Sequence, residues 1–158
     1  MKFITKILKG TNKRPAAKCN VYVKNPSQKY LSFNIAGLSY HVNALEMVAK
    51  VKKNYDSDEA LIASGQKLIY KYSFNGELRF LEEPTNKHDK NAVKILYNDA
   101  FIGYVPAEYA PIVKKLIQGN KIIDIQYTIG GGDYKKVKDG VVHQYESDYT
   151  SNVIITYR

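Results

Sequence analysis

The side chains of this sequence that could do acid, base or metal chemistry are few. They are His41, His88, Asp89, His143 and the pair Glu82-Glu83. A hydrolase or nuclease needs such groups to converge on one point. The histidines are far apart along the chain, and no spacing typical of a metal site, a nucleophile elbow or a phosphate-binding loop is present. The residues therefore predict no catalytic centre, metal or cofactor.

Aromatic side chains could do a different kind of chemistry, the stacking of unpaired bases. Most of the 14 tyrosines are expected in the core or on a sheet face. Tyr40 and Tyr104 differ because each lies where a predicted strand end meets a loop. Stacking there would contribute about 1–3 kcal/mol per base and would tolerate any base sequence. Both tyrosines are therefore candidate DNA-binding residues.

The basic residues are concentrated at the N-terminus. The chain has 24 Lys and Arg against 15 Asp and Glu, a net charge of +9, and its first acidic residue is Glu46. Such asymmetry favours a polyanionic partner, with nucleic acid ahead of an anionic surface, although solubility alone explains part of it. Lysines predominate and suit phosphate contacts rather than the reading of guanine edges. Lys13, Arg14 and Lys18 are the predicted phosphate contacts of this arm.

The elements that must position these residues follow from hydrophobic periodicity and turn signals. Asn43 with Glu46 resembles a capping box, and Asn75-Gly76 predicts a tight hairpin. The expected elements are a strand over 31–35, helices over 43–54 and 56–65, a hairpin over 68–82, strands over 92–97 and 101–105, a helix over 106–119, and strands over 121–129 and 152–157.

Strands joined by tight turns, with helices inserted at two points, predict an α+β fold: an antiparallel OB-like β-barrel in a single domain. The length of 158 residues suits one core. Residues 1–30 are expected to form a basic arm with a possible extra strand, and 31–158 the domain. Residues 130–151 are polar and predict an excursion or lid. No segment resembles a membrane span or signal peptide, so a cytoplasmic protein is expected.

One segment of the chain resembles the HIRAN domain family. Residues 81–95 read Leu-Glu-Glu-Pro-Thr-Asn-Lys-His-Asp-Lys-Asn-Ala-Val-Lys-Ile, and Ile-Gly-Tyr-Val-Pro follows at 102–106. The family's core is Glu-Pro, any residue, Asn, any residue, Tyr or His, Asp, any residue, Asn-Ala, with Gly-Tyr-Val a few residues later. Gly37-Leu38-Ser39-Tyr40 is similar to the end of its first strand. The resemblance covers about residues 31–129.

The resemblance implies an OB-like barrel that binds the 3′-hydroxyl end of single-stranded DNA, beside a helicase or nuclease partner, in repair, replication or mobile-element biology. On this chain Tyr40 matches one stacking aromatic, His88 stands where the second belongs, and Asp89 matches the acceptor of the terminal hydroxyl. Neighbouring basic and polar groups would hold phosphates; these are Asn86, Lys87 and Lys90. The chain has His88 where the eukaryotic motif has Tyr, Lys87 in place of the usual Pro, and Ser39 where DNA-end binders have Arg.

A carboxylate at position 89 would repel phosphate yet accept a hydrogen bond from a free hydroxyl, as end discrimination requires. Asn86, Asp89 and Asn91 could instead brace their loop through bonds to the backbone, and the two roles are compatible. Two rival functions also stay open. One is a protein-interaction or inhibitor module of phage or mobile-element origin that uses residues 130–151. The other is a metal-dependent nuclease that uses Asp89 and His88.

Overall fold

The computed structural model describes residues 27–158, so the predicted arm contacts Lys13, Arg14 and Lys18 lie outside the described residues. A 3-10 turn at Leu38–Tyr40 follows the first strand. The elements are β1 (Lys29–Phe33), α1 (Val42–Val48), β2 (Lys50–Val51), α2 (Asp58–Ala63), β3 (Leu68–Tyr70), β4 (Tyr72–Ser73), β5 (Leu78–Glu82), β6 (Val93–Tyr97), β7 (Ala100–Tyr104), α3 (Ala110–Gln118), β8 (Ile122–Lys138) and β9 (Val141–Tyr157).

The described strands form three antiparallel sheets. One has the order β1-β9-β8-β3, a second pairs β2 with β4, and the third has the order β5-β6-β7. The predicted α+β class with antiparallel pairing is confirmed. The expected OB-like barrel is not confirmed, because the ladders of residues 27–158 do not close on themselves.

The predicted hairpin over residues 68–82 is wrong. β3 pairs with β8, β4 with β2, and β5 with β6, so the chain passes from one sheet to another at Asn75-Gly76. A tight type I′ turn needs positive φ at both central residues, and neither residue has one. Glu77 is instead bonded to Asn98, its N–H donating to Oδ1 at 2.8 Å. The turn at Asn98-Asp99, with φ of 46° and 69°, does join two paired strands as predicted.

Residues 130–151 are not an irregular excursion, because they continue both neighbouring strands. β8 and β9 form one hairpin whose tip is Asp139-Gly140, where φ is 52° and 76°. The polar composition of this segment reflects strands covered on one face only, rather than a loop. The glycines are explained by a bulge between Gly130 and Gly132: a Cβ on Gly132 would collide with the phenol of Tyr149.

The helices are shorter than the sequence predicts. α1 ends at Val48 because Ala49 is extended and Lys50 already pairs with Ser73. The prediction of a capping box at Asn43 is wrong, since Asn43 lies inside the helix and no side chain caps the N-terminus of α1. For α2 the cap is Ser57, whose Oγ accepts from the N–H of Ala60 at 3.1 Å. Gly119 ends α3 as predicted.

The main core lies between the four-stranded and three-stranded sheets, with α1 and α3 contributing to it. Its fully buried side chains include Leu45, Val93, Ile102, Val113 and Ile155. A smaller cluster of Tyr55, Leu61 and Ile69 lies under the outer half of the β8–β9 hairpin, where α2 covers one face. Within residues 27–158, no helix is long and apolar enough to cross a bilayer.

Candidate nucleic-acid interface

Tyr40 lies on the surface at the end of the 3-10 turn. The turn begins after Gly37, which has a φ of 77°, and the Tyr40 side chain is 88 % exposed. A core role for this tyrosine is therefore excluded. Leu38, two residues earlier, is buried and anchors the turn in the main core. An exposed aromatic on an anchored turn is the arrangement that base stacking requires.

The turn is fixed to β7 by backbone hydrogen bonds. Ala36 and Tyr104 exchange both N–H···O bonds at 2.9 Å. This close approach requires glycine at position 103, where φ is 144° and a Cβ would collide with the Ala36 carbonyl. The Gly-Tyr-Val segment therefore positions the turn that carries Tyr40.

Asn86 organises the loop that joins β5 to β6, residues 83–91. Its Oδ1 accepts from the N–H groups of His88 at 2.9 Å and Asp89 at 3.1 Å. Its Nδ2 donates to Glu83 Oε2 at 2.8 Å. Such side-chain to backbone bonds replace the ladder that a loop lacks. Asn86 is thus a bracing residue, and its predicted role as a direct phosphate contact has no support in this geometry.

Asp89 braces the same loop with one oxygen. Its Oδ1 accepts from the N–H of Asn91 at 2.7 Å, and its carbonyl accepts from the N–H of Ala92 at 3.0 Å. The bracing role predicted from the sequence is therefore present. The Asp89 side chain is only half-buried, and a carboxylate has several acceptor positions. Bracing through Oδ1 leaves Oδ2 available to a terminal hydroxyl.

Glu83 is the ionic centre at the base of the loop, and sequence reasoning treated it only as a possible acid or base. Lys94 pairs with its Oε1, and Asn86 and Tyr104 donate to its Oε2 at 2.8 and 2.9 Å. The hydrogen bond from Lys94 first, then that from Asn86, lowers the pKa of Glu83 to about 2. A general base works best with a pKa near the working pH. Glu83 is therefore an anchor that is ionised at neutral pH and a poor general base.

Tyr104 has a positioning role that the sequence did not predict, and its stacking on a base stays a prediction. Its hydroxyl donates to Glu83, and its ring packs edge-on against Phe101 at 5.0 Å between centroids. Burial and the bond to Glu83 raise the pKa of the Tyr104 phenol. Its backbone holds the Tyr40 turn while its side chain holds the loop. Tyr104 thus connects the two parts of the candidate site.

His88, Lys87 and Lys90 are exposed on the loop surface. The Lys90 carbonyl accepts from Lys114 Nζ of α3 at 2.9 Å, which fixes the far side of the loop. The structure therefore carries Tyr40 on one anchored segment and His88 and the two lysines on another. Both segments are tied to the end of β7.

Phe101 was missed by sequence reasoning. It packs against His41 with ring centroids 4.4 Å apart, and Lys94 Nζ lies 5.5 Å from its ring. Lys94 and Tyr104 are cross-strand neighbours in β6 and β7. The sequence predicted that these two strands pair, and following that pairing to the far end of the strands would have placed Lys94 beside the base of the loop.

Among residues 27–158, no group of three or more His, Cys, Asp or Glu side chains is placed to hold a metal ion. His41, His88 and His143 lie on separate elements, the helix cap, the loop and the outer hairpin.

One comparison with known proteins gives a match. The family model described as HIRAN domain matches residues 28–146. No curated protein and no solved structure is significantly similar to the chain. The match includes the Tyr40 turn, the 83–91 loop and most of the β8–β9 hairpin.

Proposed function

The chain belongs to the HIRAN domain family, which points to nucleic-acid binding, and from this premise we propose that it is a non-enzymatic module that binds single-stranded DNA at 3′-hydroxyl ends. The observation that carries the proposal is the exposure of Tyr40 on a turn bonded to the same β7 residue that holds the 83–91 loop. The exposed aromatic and the loop that carries Asp89 are thereby joined through one residue, Tyr104, which supports the proposal.

In the proposed complex the terminal base stacks on Tyr40, and His88 contacts a neighbouring base. Asp89 accepts the terminal hydroxyl through Oδ2 while Oδ1 keeps its bond to Asn91. Lys87 and Lys90 lie on either side of this pair and contact phosphates. A terminal phosphate dianion would meet the carboxylate and be repelled. The basic segment before Glu46 adds affinity that does not depend on the end.

The decisive experiment is a fluorescence-polarisation titration of one oligonucleotide that ends in a 3′-hydroxyl or a 3′-phosphate, with a blunt duplex as third probe. We expect the hydroxyl end to bind most tightly. Equal affinity for the two single-strand ends would overturn the end-binding role. Running the titration with magnesium and with EDTA also tests the nuclease alternative, because cleavage in magnesium would show an enzyme.

Asp89→Asn sharpens the test. The amide keeps an acceptor oxygen for the N–H of Asn91, so the loop should remain braced and the melting temperature nearly unchanged. The preference for hydroxyl over phosphate should fall because the repelling charge is lost. Asp89→Ala is the matched variant that removes the brace as well. If both variants leave the ratio of the two affinities unchanged, Asp89 has only a bracing role.

A further inference from the structure

The outer half of the β8–β9 hairpin has two unlike faces. The inner face packs Val137 and Val142 against the cluster that α2 covers, and Lys135 on this side bonds to Asp58 and to the Tyr55 carbonyl. The opposite side is called the hairpin face here. Strand alternation and register assign to it Leu68, Tyr70, Tyr134, Lys136, Lys138, Val141, His143 and Tyr145.

Aromatic rings run across all three strands of the hairpin face. Tyr70 lies 5.2 Å from Tyr134, which stacks on Tyr145 at 5.3 Å with 22° between the ring planes. Tyr145 is 47 % exposed, and His143 adds a fourth ring 6.5 Å from it. Tyr70 and Tyr134 are half-buried, His143 and Tyr145 are exposed, and none of the four belongs to either core cluster.

The charges of the hairpin face are of one sign. Lys136 and Lys138 follow Tyr134 at alternate positions, about 7 and 14 Å along the strand, and both are exposed. No strand position assigned to this face within the described residues carries a carboxylate. Asp133 and Glu146, the acidic residues at neighbouring positions, belong to the inner face by strand alternation. Charge complementarity therefore points to a polyanion.

We propose that the hairpin face is a second binding surface for single-stranded DNA, on which bases stack on the tyrosines and the two lysines contact the phosphates. Exposed rings beside lysines on a sheet are suited to sequence-tolerant binding of single strands. This surface is separate from the Tyr40 turn and the 83–91 loop and does not require end recognition. It would contact an internal part of a strand.

The test uses oligo-dT of two lengths, about 4 and about 15 nucleotides, spanning the site sizes of single-strand binders. Tyr145→Ala should lower affinity for the longer probe about fivefold or more, with the loss persisting at high salt, and should leave the short 3′-hydroxyl probe unaffected. Tyr145→Phe should bind like the unmutated protein. Loss on both probes, or on neither, would overturn the proposal.

The double variant Lys136→Gln/Lys138→Gln keeps the proposal testable if Tyr145→Ala is unstable, because both positions are exposed. It should reduce the salt slope by about 1.4, since each phosphate contact on a single strand contributes about 0.7. Lys115→Gln/Lys121→Gln removes the same charge from the α3 end and is the matched control. Equal effects of the two pairs would show general electrostatics and overturn the proposal.

Sedimentation of the same variants distinguishes DNA binding from self-association. A change in oligomeric state with unchanged DNA affinity would assign the hairpin face to a second copy of the chain and overturn the proposal. The end-binding function has its own readout, the ratio of affinities for hydroxyl and phosphate ends. Either hypothesis can therefore fail while the other holds.

Discussion

The 83–91 loop and the outer β8–β9 hairpin use polar side chains in opposite ways. In the loop, Asn86 and Asp89 bond to nearby backbone and Glu83 gathers three donors. In the hairpin the backbone satisfies itself through the ladder, so Tyr145, Lys136 and Lys138 have no bracing task. In an irregular segment, polar side chains hydrogen-bond to the backbone and so hold its conformation. In a regular strand the backbone groups bond to each other, and the side chains remain available for a ligand.

This contrast predicts that removing a bracing group of the loop, or the glycine of β7 that holds the Tyr40 turn, changes stability more than removing an exposed side chain of the Tyr40 turn or a lysine of the hairpin face. The variants below are ordered by their expected effect on the free energy of unfolding, the largest first.

Gly103→Ala should be the most damaging change. The new Cβ would collide with the Ala36 carbonyl, and the φ of 144° is one that L side chains rarely adopt. We expect a loss of about 3 kcal/mol, from strain and displaced backbone. Gly130→Ala on the hairpin is the control, because it has open space and no positive φ. Equal melting temperatures for the two variants would contradict the close contact between the turn and β7.

Asn86→Ala should cost about 1–2 kcal/mol, because two backbone N–H groups lose their acceptor and Glu83 loses a donor, while solvent partly replaces them. Asn91→Ala, on the same loop but exposed, is the matched control and should be nearly neutral. Chemical denaturation measures both. A smaller loss for Asn86→Ala than for Asn91→Ala would show that the loop does not depend on this brace.

The Glu83 anchor predicts acid sensitivity. Its folded pKa of about 2 lies below the value of about 4.3 expected in the unfolded chain. The contribution of the ionised Glu83 carboxylate to stability is therefore complete above about pH 4.3 and is lost as pH falls towards 2. The difference in melting temperature between the unmutated protein and Glu83→Gln should shrink over that range. Lys94→Gln should weaken this pH dependence of stability, because the hydrogen bond from Lys94 is the largest cause of the lowered pKa of Glu83. A difference that is constant with pH would contradict the ion pair.

Tyr40→Ala should have the smallest effect on stability, within about 0.5 kcal/mol for an exposed side chain. Affinity for 3′-ended single strands should nevertheless fall by about 1–3 kcal/mol if a base stacks on the ring. Tyr40→Phe should bind normally. Tyr145→Ala provides the comparison, since its ring stacks on Tyr134 and some stability should be lost with it. Unfolding by Tyr40→Ala would show that the ring supports the turn rather than being available to stack on a base.

Local signals predicted several elements well. The strands on both sides of Asn98-Asp99, the inner face of α3 and its end at Gly119 follow from alternation, helical spacing and turn residues. The motif around residues 81–106 also identified the family. These features depend on residues close together in the chain, and for that reason one sequence suffices to predict them.

Strand partners could not be predicted in the same way. Leu68 to Ser73 alternates as a strand should, yet it is divided between β8 and β2, and the 130–151 segment is polar because only one of its faces is covered. Short-range patterns state that a segment is extended but not which strand bonds to it. The Asn75-Gly76 pair therefore predicts a hairpin turn that the sheets do not form.

The sequence by itself determined the α+β class and the family, and it supplied the candidate residues of the end site. Tertiary structure decided that Tyr104 joins the Tyr40 turn to the 83–91 loop, that Glu83 is held ionised by Lys94, and that Tyr70, Tyr134 and Tyr145 meet on one face. The physical reason is the same in each case. The role of a polar or aromatic side chain depends on whether another strand brings a partner within about 3 Å of its polar atom or 5 Å of its ring, and that partner is distant in sequence.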